Sequence, residues 1–330
     1  MEFSHVPVML SEVIENLNIL PSGTYLDCTV GGAGHSTKIA ENLSKDGTLI
    51  ALDRDEDAIN ASFARLSQFC DVFVVKNDDY NIKIVRKDKP IAIIVKSNFN
   101  DFEKVLCNLC IEKVDGILVD LGVSSHQIDT AERGFSFRHD AVLDMRMDRN
   151  SLLTAKDIVN NYSESELANI FYKYGEEEFS RSIARNIVKF REKKPLETTF
   201  ELVNIIENSM PKKVVYSRGG ASKKVFQALR IVVNDELSFL ETTILSLVKH
   251  LKTNGRLCVI SFHSLEDRIV KDCYKLLAQK CICPPNIPKC ICNHKPDIEI
   301  LTKKPIVASD DELEHNSRSA CAKLRVCKKI

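Results

Sequence analysis

Tyr25-Leu26-Asp27-Cys28-Thr29-Val30-Gly31-Gly32-Ala33-Gly34-His35-Ser36 reads as a short apolar strand running into a glycine-rich turn and then a helix start. Nineteen residues after Gly34, a second apolar run, Thr48-Leu49-Ile50-Ala51-Leu52, ends on Asp53. This layout presents backbone amides to a polar or anionic group and a carboxylate to a ribose edge. It predicts a pocket for a nucleoside-containing ligand; an ordinary strand-turn-helix with incidental glycines is the open alternative. The turn departs from the dinucleotide fingerprint, because Thr37 stands where a third glycine belongs. An acid inside the first strand, Asp27, and a looser turn suit S-adenosylmethionine, whose aminoacyl tail carries an ammonium as well as a carboxylate.

Working outward, the spacing predicts further strands over Ile91–Val95, Gly116–Asp120 and Arg256–Ser261. Helical stretches are predicted over Ser36–Leu43, Glu56–Arg65 and Phe102–Leu109. Alternation of this kind argues for a parallel α/β sheet of Rossmann-like form, with ligands outside the carboxyl ends of its strands. Asp53, Asp120 and the segment Ser261-Phe262-His263 all fall at such ends. His263 there reads equally as a lining residue or as a histidine bonding its own turn. From about Ser125 to Gly220 the strand-like runs vanish and amphipathic helices take over. We therefore expect residues 1–124 and 221–330 to form the sheet domain, with residues 125–220 inserted as an all-helical substrate domain. Phe226, Leu229, Val233, Leu237, Leu240, Ile244, Leu247 and Leu251 recur at steps of three and four, predicting one long helix that Asn254-Gly255 ends. Ser264 followed by Asp267 predicts a capping box for the next helix. Phe73–Tyr80 and Ile94–Phe99 look like two copies of a third strand, with an extra hairpin expected between them.

Length and composition bound the rest. A chain of 330 residues with 44% apolar content can build a full core. It contains no run of eighteen apolar residues and no basic-then-apolar leader at Met1–His5, so no membrane association and a cytoplasmic location are expected. Zero net formal charge excludes a surface coated in positive charge for nucleic acid. A local patch is present instead: between Arg181 and Lys224 there are eleven Lys/Arg against four Asp/Glu. Lys212 and Lys213 precede a flexible Ser217-Arg218-Gly219-Gly220, and this is the best electrostatic footprint for RNA, with a solvated helix face as the alternative.

Several motifs resemble the bacterial 16S rRNA (cytosine-N4) methyltransferase family of the MraW/RsmH type. They are His5-Val6-Pro7-Val8-Met9-Leu10, the glycine turn, Asp115–Ser125, Glu132–Arg138, Leu143–Asp148, Phe226–Ile231 with Asn234–Leu237, and Ser261–Arg268. The likeness runs nearly end to end. It implies methyl transfer from S-adenosylmethionine to the exocyclic amine of a decoding-centre cytosine, with 16S rRNA or the small ribosomal subunit as partner. Carried over by position, Ala33, Gly34 and His35 would contact the cofactor at the turn and Asp53 would serve the ribose. Asp120 and Gln127 would lie near the adenine and methionine parts. Phe99 would cover the adenine, with Tyr80 as the fallback, and His126 stands where some members carry proline. Oligomeric state stays open, a homodimer being one option.

The activated sulfonium methyl needs an in-line approach more than a strong acid or base. A hydrogen-bond acceptor at the cytosine amine would favour the attacking nitrogen and take its proton. No acid-or-amide, proline, proline, aromatic tetrapeptide follows the fourth strand, which leaves Asp120 and Asp144 as candidate acceptors. A base within RNA must leave its stack to reach the methyl group. Phe135 and Phe137, flanked by Arg133 and Arg138, read equally as stacking and phosphate groups or as a hydrophobic anchor with arginines in salt bridges.

Most of the twelve cysteines sit singly in apolar runs, as Cys28, Cys70, Cys258 and Cys273 do, where a reduced thiol packs as a small hydrophobe. Cys281, Cys283, Cys290 and Cys292 differ. Two Cys-x-Cys pairs in a proline-stiffened loop could hold a structural zinc ion, or stay reduced thiols. Competing readings are a nicotinamide-dependent oxidoreductase and a zinc-stabilised RNA-binding protein without catalysis.

Overall fold

A computed structural model describes residues 7–76, 79–80, 82, 84–217, 222–284 and 290–330. The chain divides into two compact units, one of Met1–Gly122 with Phe239–Ile330 and one of Val123–Ser238. The first holds eight strands: β1 (Thr24–Asp27), β2 (Thr48–Asp53), β3 (Asp71–Val75), β4 (Ile91–Lys96), β5 (Val114–Asp120), β6 (Leu251–Ser261), β7 (Ile298–Ile300) and β8 (Lys323–Lys329). They form one sheet in the order β3-β4-β2-β1-β5-β6-β8-β7. Pairing is parallel from β3 through β6, and β8 runs antiparallel between β6 and β7. This is a Rossmann-like α/β sheet. β2 and β4 are buried at every position except the last, as strands covered on both faces must be. Their continuous apolar runs make them legible in the sequence. The core beneath includes Val13, Leu17, Tyr25, Ile39, Leu49, Ile94, Leu118, Cys258 and Leu324.

Both copies of the third strand form. β3 adds to the sheet edge as a parallel neighbour of β4, with Asp71 opposite Ile91 and Val75 opposite Val95. No strand lies between them among the described residues, which replaces the expected hairpin; Asn77, Asp78, Asn81 and Lys83 of that segment lie outside the described residues. The long helix expected from Phe226 to Leu251 is two helices, Lys223–Asn234 and Leu240–Lys249, in different units. Asp235, at φ 50, closes the first, and Glu236 then accepts from Arg230 Nε and Nη2 at 2.9 and 2.8 Å. Leu251, Asn254 and Gly255 belong to β6 instead of a helix end. The helical unit accordingly extends past residue 220, to Ser238.

That unit is built on helices at Ala155–Asn161, Glu164–Gly175, Ser180–Arg191, Thr199–Asn208 and Lys223–Asn234. Thr154/Asp157, Ser163/Glu166 and Thr198/Glu201 open three of them with reciprocal capping boxes. Ile158, Phe171, Ile183, Ile187, Leu202, Ile206 and Leu229 fill its core. Gly134, at φ 68, lies so close to the Val142 carbonyl that a side chain could not fit.

Candidate active site

Because β1, β2, β4, β5 and β6 are parallel, their carboxyl ends share one edge of the sheet. There the glycine turn is tied to β2: the Val30 N–H donates to the Leu52 carbonyl at 2.8 Å and the Gly31 N–H to Asp53 Oδ2 at 2.9 Å. Ala33, fully buried at φ 59, caps the helix Gly34–Glu41 in a left-handed conformation. A Cβ on Gly34 would sit 2.8 Å from Pro7 Cγ, so the amino-terminal motif packs directly on the turn. His35 Nε2 lies 2.9 Å from the Val8 carbonyl and thereby fixes the same contact; His5 and Val6 lie outside the described residues. Asp53 Oδ1 accepts from the Asp55 N–H at 2.9 Å. Asp53 therefore braces the turn at the end of β2. Beyond β4, the Ser97 N–H donates to the Asp53 carbonyl at 2.9 Å, which brings the 3-10 turn Phe99–Asp101 next to Asp53. Tyr80 follows the edge strand, one strand farther out.

Three acids meet at these ends. Asp27, 1% exposed, accepts from Ser36 Oγ at 2.7 Å and the Thr29 N–H at 3.0 Å. Its carboxyl is pushed up to about 6, chiefly by burial, against which those hydrogen bonds pull down. Asp53 is raised too, again mainly by burial. Asp120 is raised well above the carboxylate range by burial first and then by the charges of Asp27 and Glu266. Its N–H donates to Thr29 Oγ1 at 2.8 Å, but its Oδ1 is sealed from solvent with no hydrogen-bond partner. Its Oδ2 stands 3.7 Å from His35 Nδ1, and the side chain as a whole keeps 21% exposure. Glu266, 2% exposed, accepts from the Phe262 N–H at 2.8 Å. It also closes a capping box with His263, so His263 and Glu266, not Ser264 and Asp267, open the helix Ser264–Leu277. The arrangement gathers buried carboxyls at the strand ends whose ionised forms are disfavoured by burial and by one another's charge.

The helical unit holds the remaining candidates. Gln127 is buried, and its Oε1 accepts from the Ser124 N–H at 3.0 Å in a capping box. Asp144 takes a bidentate grip from Arg146 at 2.8 and 2.7 Å. Burial pushes its carboxyl up, but the Arg146 bonds and charge, with Arg133, outweigh that and leave it below the usual range. Both of its oxygens are therefore engaged, which weakens it as a proton acceptor. Arg133 corrects the expectation of a phosphate contact: it is 3% exposed and donates to the Arg146 and Met147 carbonyls at 2.9 Å each. Its guanidinium lies 5.9 Å from the Phe135 ring centre, and Phe137 meets Phe226 edge-on at 5.6 Å. Both phenylalanines pack on the helical core, the anchor reading, and the arginine holds backbone carbonyls beside them. Arg138, Lys212 and Lys213 are exposed; Arg218, Gly219 and Gly220 lie outside the described residues.

The model of the MraW methylase family matches residues 2–330. The chain belongs to this family. It is 51% identical over 331 residues to a protein of Finegoldia magna named ribosomal RNA small subunit methyltransferase H, with 100% of both chains covered. Proteins of the same name from Lachnospira eligens and Clostridium botulinum (Loch Maree strain) are 48% and 49% identical over 330 residues. Each match covers 100% of this chain, with 99% of the first protein and 100% of the second.

Within this member of the family, sequence reasoning does not single out Glu266 or the pairing of Asp27 with Ser36 as site features. Asp27 stands out only as an acid in a strand. Glu266 looks like any first-turn helix acid, and its separation of five from Ser261 at a strand end is the available signal. The described residues contain no helix long and apolar enough to cross a membrane.

Proposed function

We propose that this chain transfers a methyl group from S-adenosylmethionine to small-subunit rRNA, at the N4 amine of a decoding-centre cytosine. Family membership supports the methylase class, and the names of the relatives support the rRNA. The observation that carries the cofactor is the sealed, unpartnered Asp120 Oδ1 among the carboxyls of Asp27 and Glu266. A ligand bearing ammonium and sulfonium charge supplies the missing countercharge, whereas a dinucleotide pyrophosphate would add to the repulsion. When bound, S-adenosylmethionine brings a methyl group already activated on sulfur.

The chain's own residues then have distinct tasks. Ala33, Gly34 and His35 shape the turn against the cofactor, Asp53 accepts from the ribose hydroxyls with its remaining lone pairs, and Phe99 covers the adenine. Asp120 holds positive charge and is the better placed of the two candidate acceptors for the amine proton, since Arg146 occupies Asp144. Gln127 keeps the cofactor role that the resemblance implies. RNA is met by exposed cations, Arg138, Lys212 and Lys213, and such a substrate sets the location in the cytoplasm.

Incubation with isotope-labelled S-adenosylmethionine and either free 16S transcript or assembled small subunits, followed by mass mapping, is the direct test. One label on a cytosine N4 is expected; no label in either substrate would overturn the reading. Lys212→Glu with Lys213→Glu should weaken RNA binding and lower the salt slope by about two, one for each phosphate no longer neutralised. If affinity and slope are both unchanged, those lysines form a solvated face.

A further inference from the structure

The loop between the helix Ser264–Leu277 and β7 contains the one motif that methyl transfer does not use. At its base the Asp297 N–H donates to the Leu277 carbonyl at 2.8 Å. Within it, the sulfur atoms of Cys281, Cys283, Cys290 and Cys292 all lie within 4.8 Å of one another. Four of the separations are 3.4 Å (Cys281 to Cys290), 3.5 Å (Cys290 to Cys292), 3.7 Å (Cys292 to Cys281) and 4.0 Å (Cys283 to Cys290). A tetrahedron with metal–sulfur bonds of ~2.3 Å has edges of ~3.8 Å. The observed spacings cluster about that length and far exceed the ~2.05 Å of a disulfide.

Two further features point to a ligand. The Cys283 N–H is directed at Cys281 Sγ at 3.4 Å, and the Ile291 N–H at Cys283 Sγ at 3.5 Å. Amides aimed at sulfur stabilise its thiolate form and orient it toward a metal. The residue inside each Cys-x-Cys pair also turns outward: Ile282 is 60% and Ile291 72% exposed. Ile282 and Ile291 are thus in water while the four thiols lie together, the reverse of an apolar mini-core. A segment this short gains order from a metal clip more readily than from burial.

We propose that Cys281, Cys283, Cys290 and Cys292 bind one zinc ion as a closed, structural tetrathiolate. Binding displaces the thiol protons to solvent and involves no change of oxidation state. The four ligands fill the coordination sphere and leave no open position for chemistry. The ion would pin the loop that precedes β7 without touching the methyl-transfer residues.

The test is metal analysis of the full chain, purified anaerobically under reductant after zinc loading. About one equivalent of zinc is expected, falling roughly tenfold in Cys290→Ser. Cys107→Ser with Cys110→Ser, which removes two other exposed thiols, should leave it unchanged. Should Cys290→Ser fail to fold, cobalt substitution of the wild-type chain gives a second readout, the visible spectrum of a tetrahedral four-sulfur site. Less than half an equivalent of zinc, iron in its place, two disulfides found by mass, or a cobalt spectrum of oxygen or nitrogen ligation would each overturn the proposal.

Discussion

Asp120→Asn is expected to weaken S-adenosylmethionine binding by roughly 30-fold to several thousand-fold, the 2–5 kcal/mol lost when one partner of a desolvated charge pair is removed. The same substitution should raise the stability of the ligand-free protein. Asp120 Oδ1 is sealed without a partner and Asp27 and Glu266 oppose its ionisation, so the carboxylate is a cost to the empty fold. An amide of the same shape removes that cost. Few substitutions move affinity and stability in opposite directions, which makes the pair of readouts decisive. Calorimetric titration gives the first and thermal melts of the ligand-free chain the second. Unchanged affinity would remove Asp120 from the cofactor site, and a lower melting temperature would make it a structural brace.

The stability gain has a pH signature with a definite sign. A carboxyl whose folded pKa is raised binds its proton more tightly in the folded chain. Its stabilisation is complete below the unfolded value, near 4, and is lost as pH climbs through the folded value. Asp120→Asn should therefore match wild type near pH 4 and pull ahead as pH rises. Asp27 behaves alike: held at about 6, it contributes a loss of roughly 3 kcal/mol by neutral pH that persists in the variant. In S-adenosylmethionine the added positive charge should offset both, so the melting shift caused by ligand should grow with pH.

The sheet and its strand-end acids could be read from sequence for a simple reason. Parallel strands buried on both faces are almost uninterrupted apolar runs, and Asp53 and Asp120 close two of them. What sequence concealed was decided by contacts between residues that no periodicity reports. The apolar spacing from Phe226 to Leu251 continues straight through the break at Asp235, which depends on one left-handed residue and the Arg230–Glu236 pair. The capping box moved by one position because His263 Nδ1 fills the place expected of a serine hydroxyl. Glu266 escapes attention because an acid at that helix position needs no functional explanation. The aromatic and arginine residues of Glu132–Arg138 have the same composition whether they stack on bases or anchor a core, and only burial separates the two.

Arg133→Ala is the experiment that exploits that separation. Two charge-assisted hydrogen bonds to the Arg146 and Met147 carbonyls would go, each contributing about 1.5–3 kcal/mol. The expected destabilisation of the helical unit is thus roughly 3–6 kcal/mol. The loop it holds is strapped from the other side by Asn234, whose Oδ1 accepts from the Met147 N–H and whose Nδ2 donates to the Met145 carbonyl, both at 2.8 Å. Amide hydrogen exchange across residues 140–150 should therefore accelerate first, because losing one strap leaves the loop hung on the other. Arg133→Lys should recover only part of the loss, since a point donor cannot reproduce the guanidinium's planar fork. The salt dependence of RNA binding by the still-folded fraction should stay as in wild type. A phosphate contact predicts the opposite pattern, an unchanged melt with a salt slope shallower by about one. That outcome would return Arg133 to the RNA and take it out of the core.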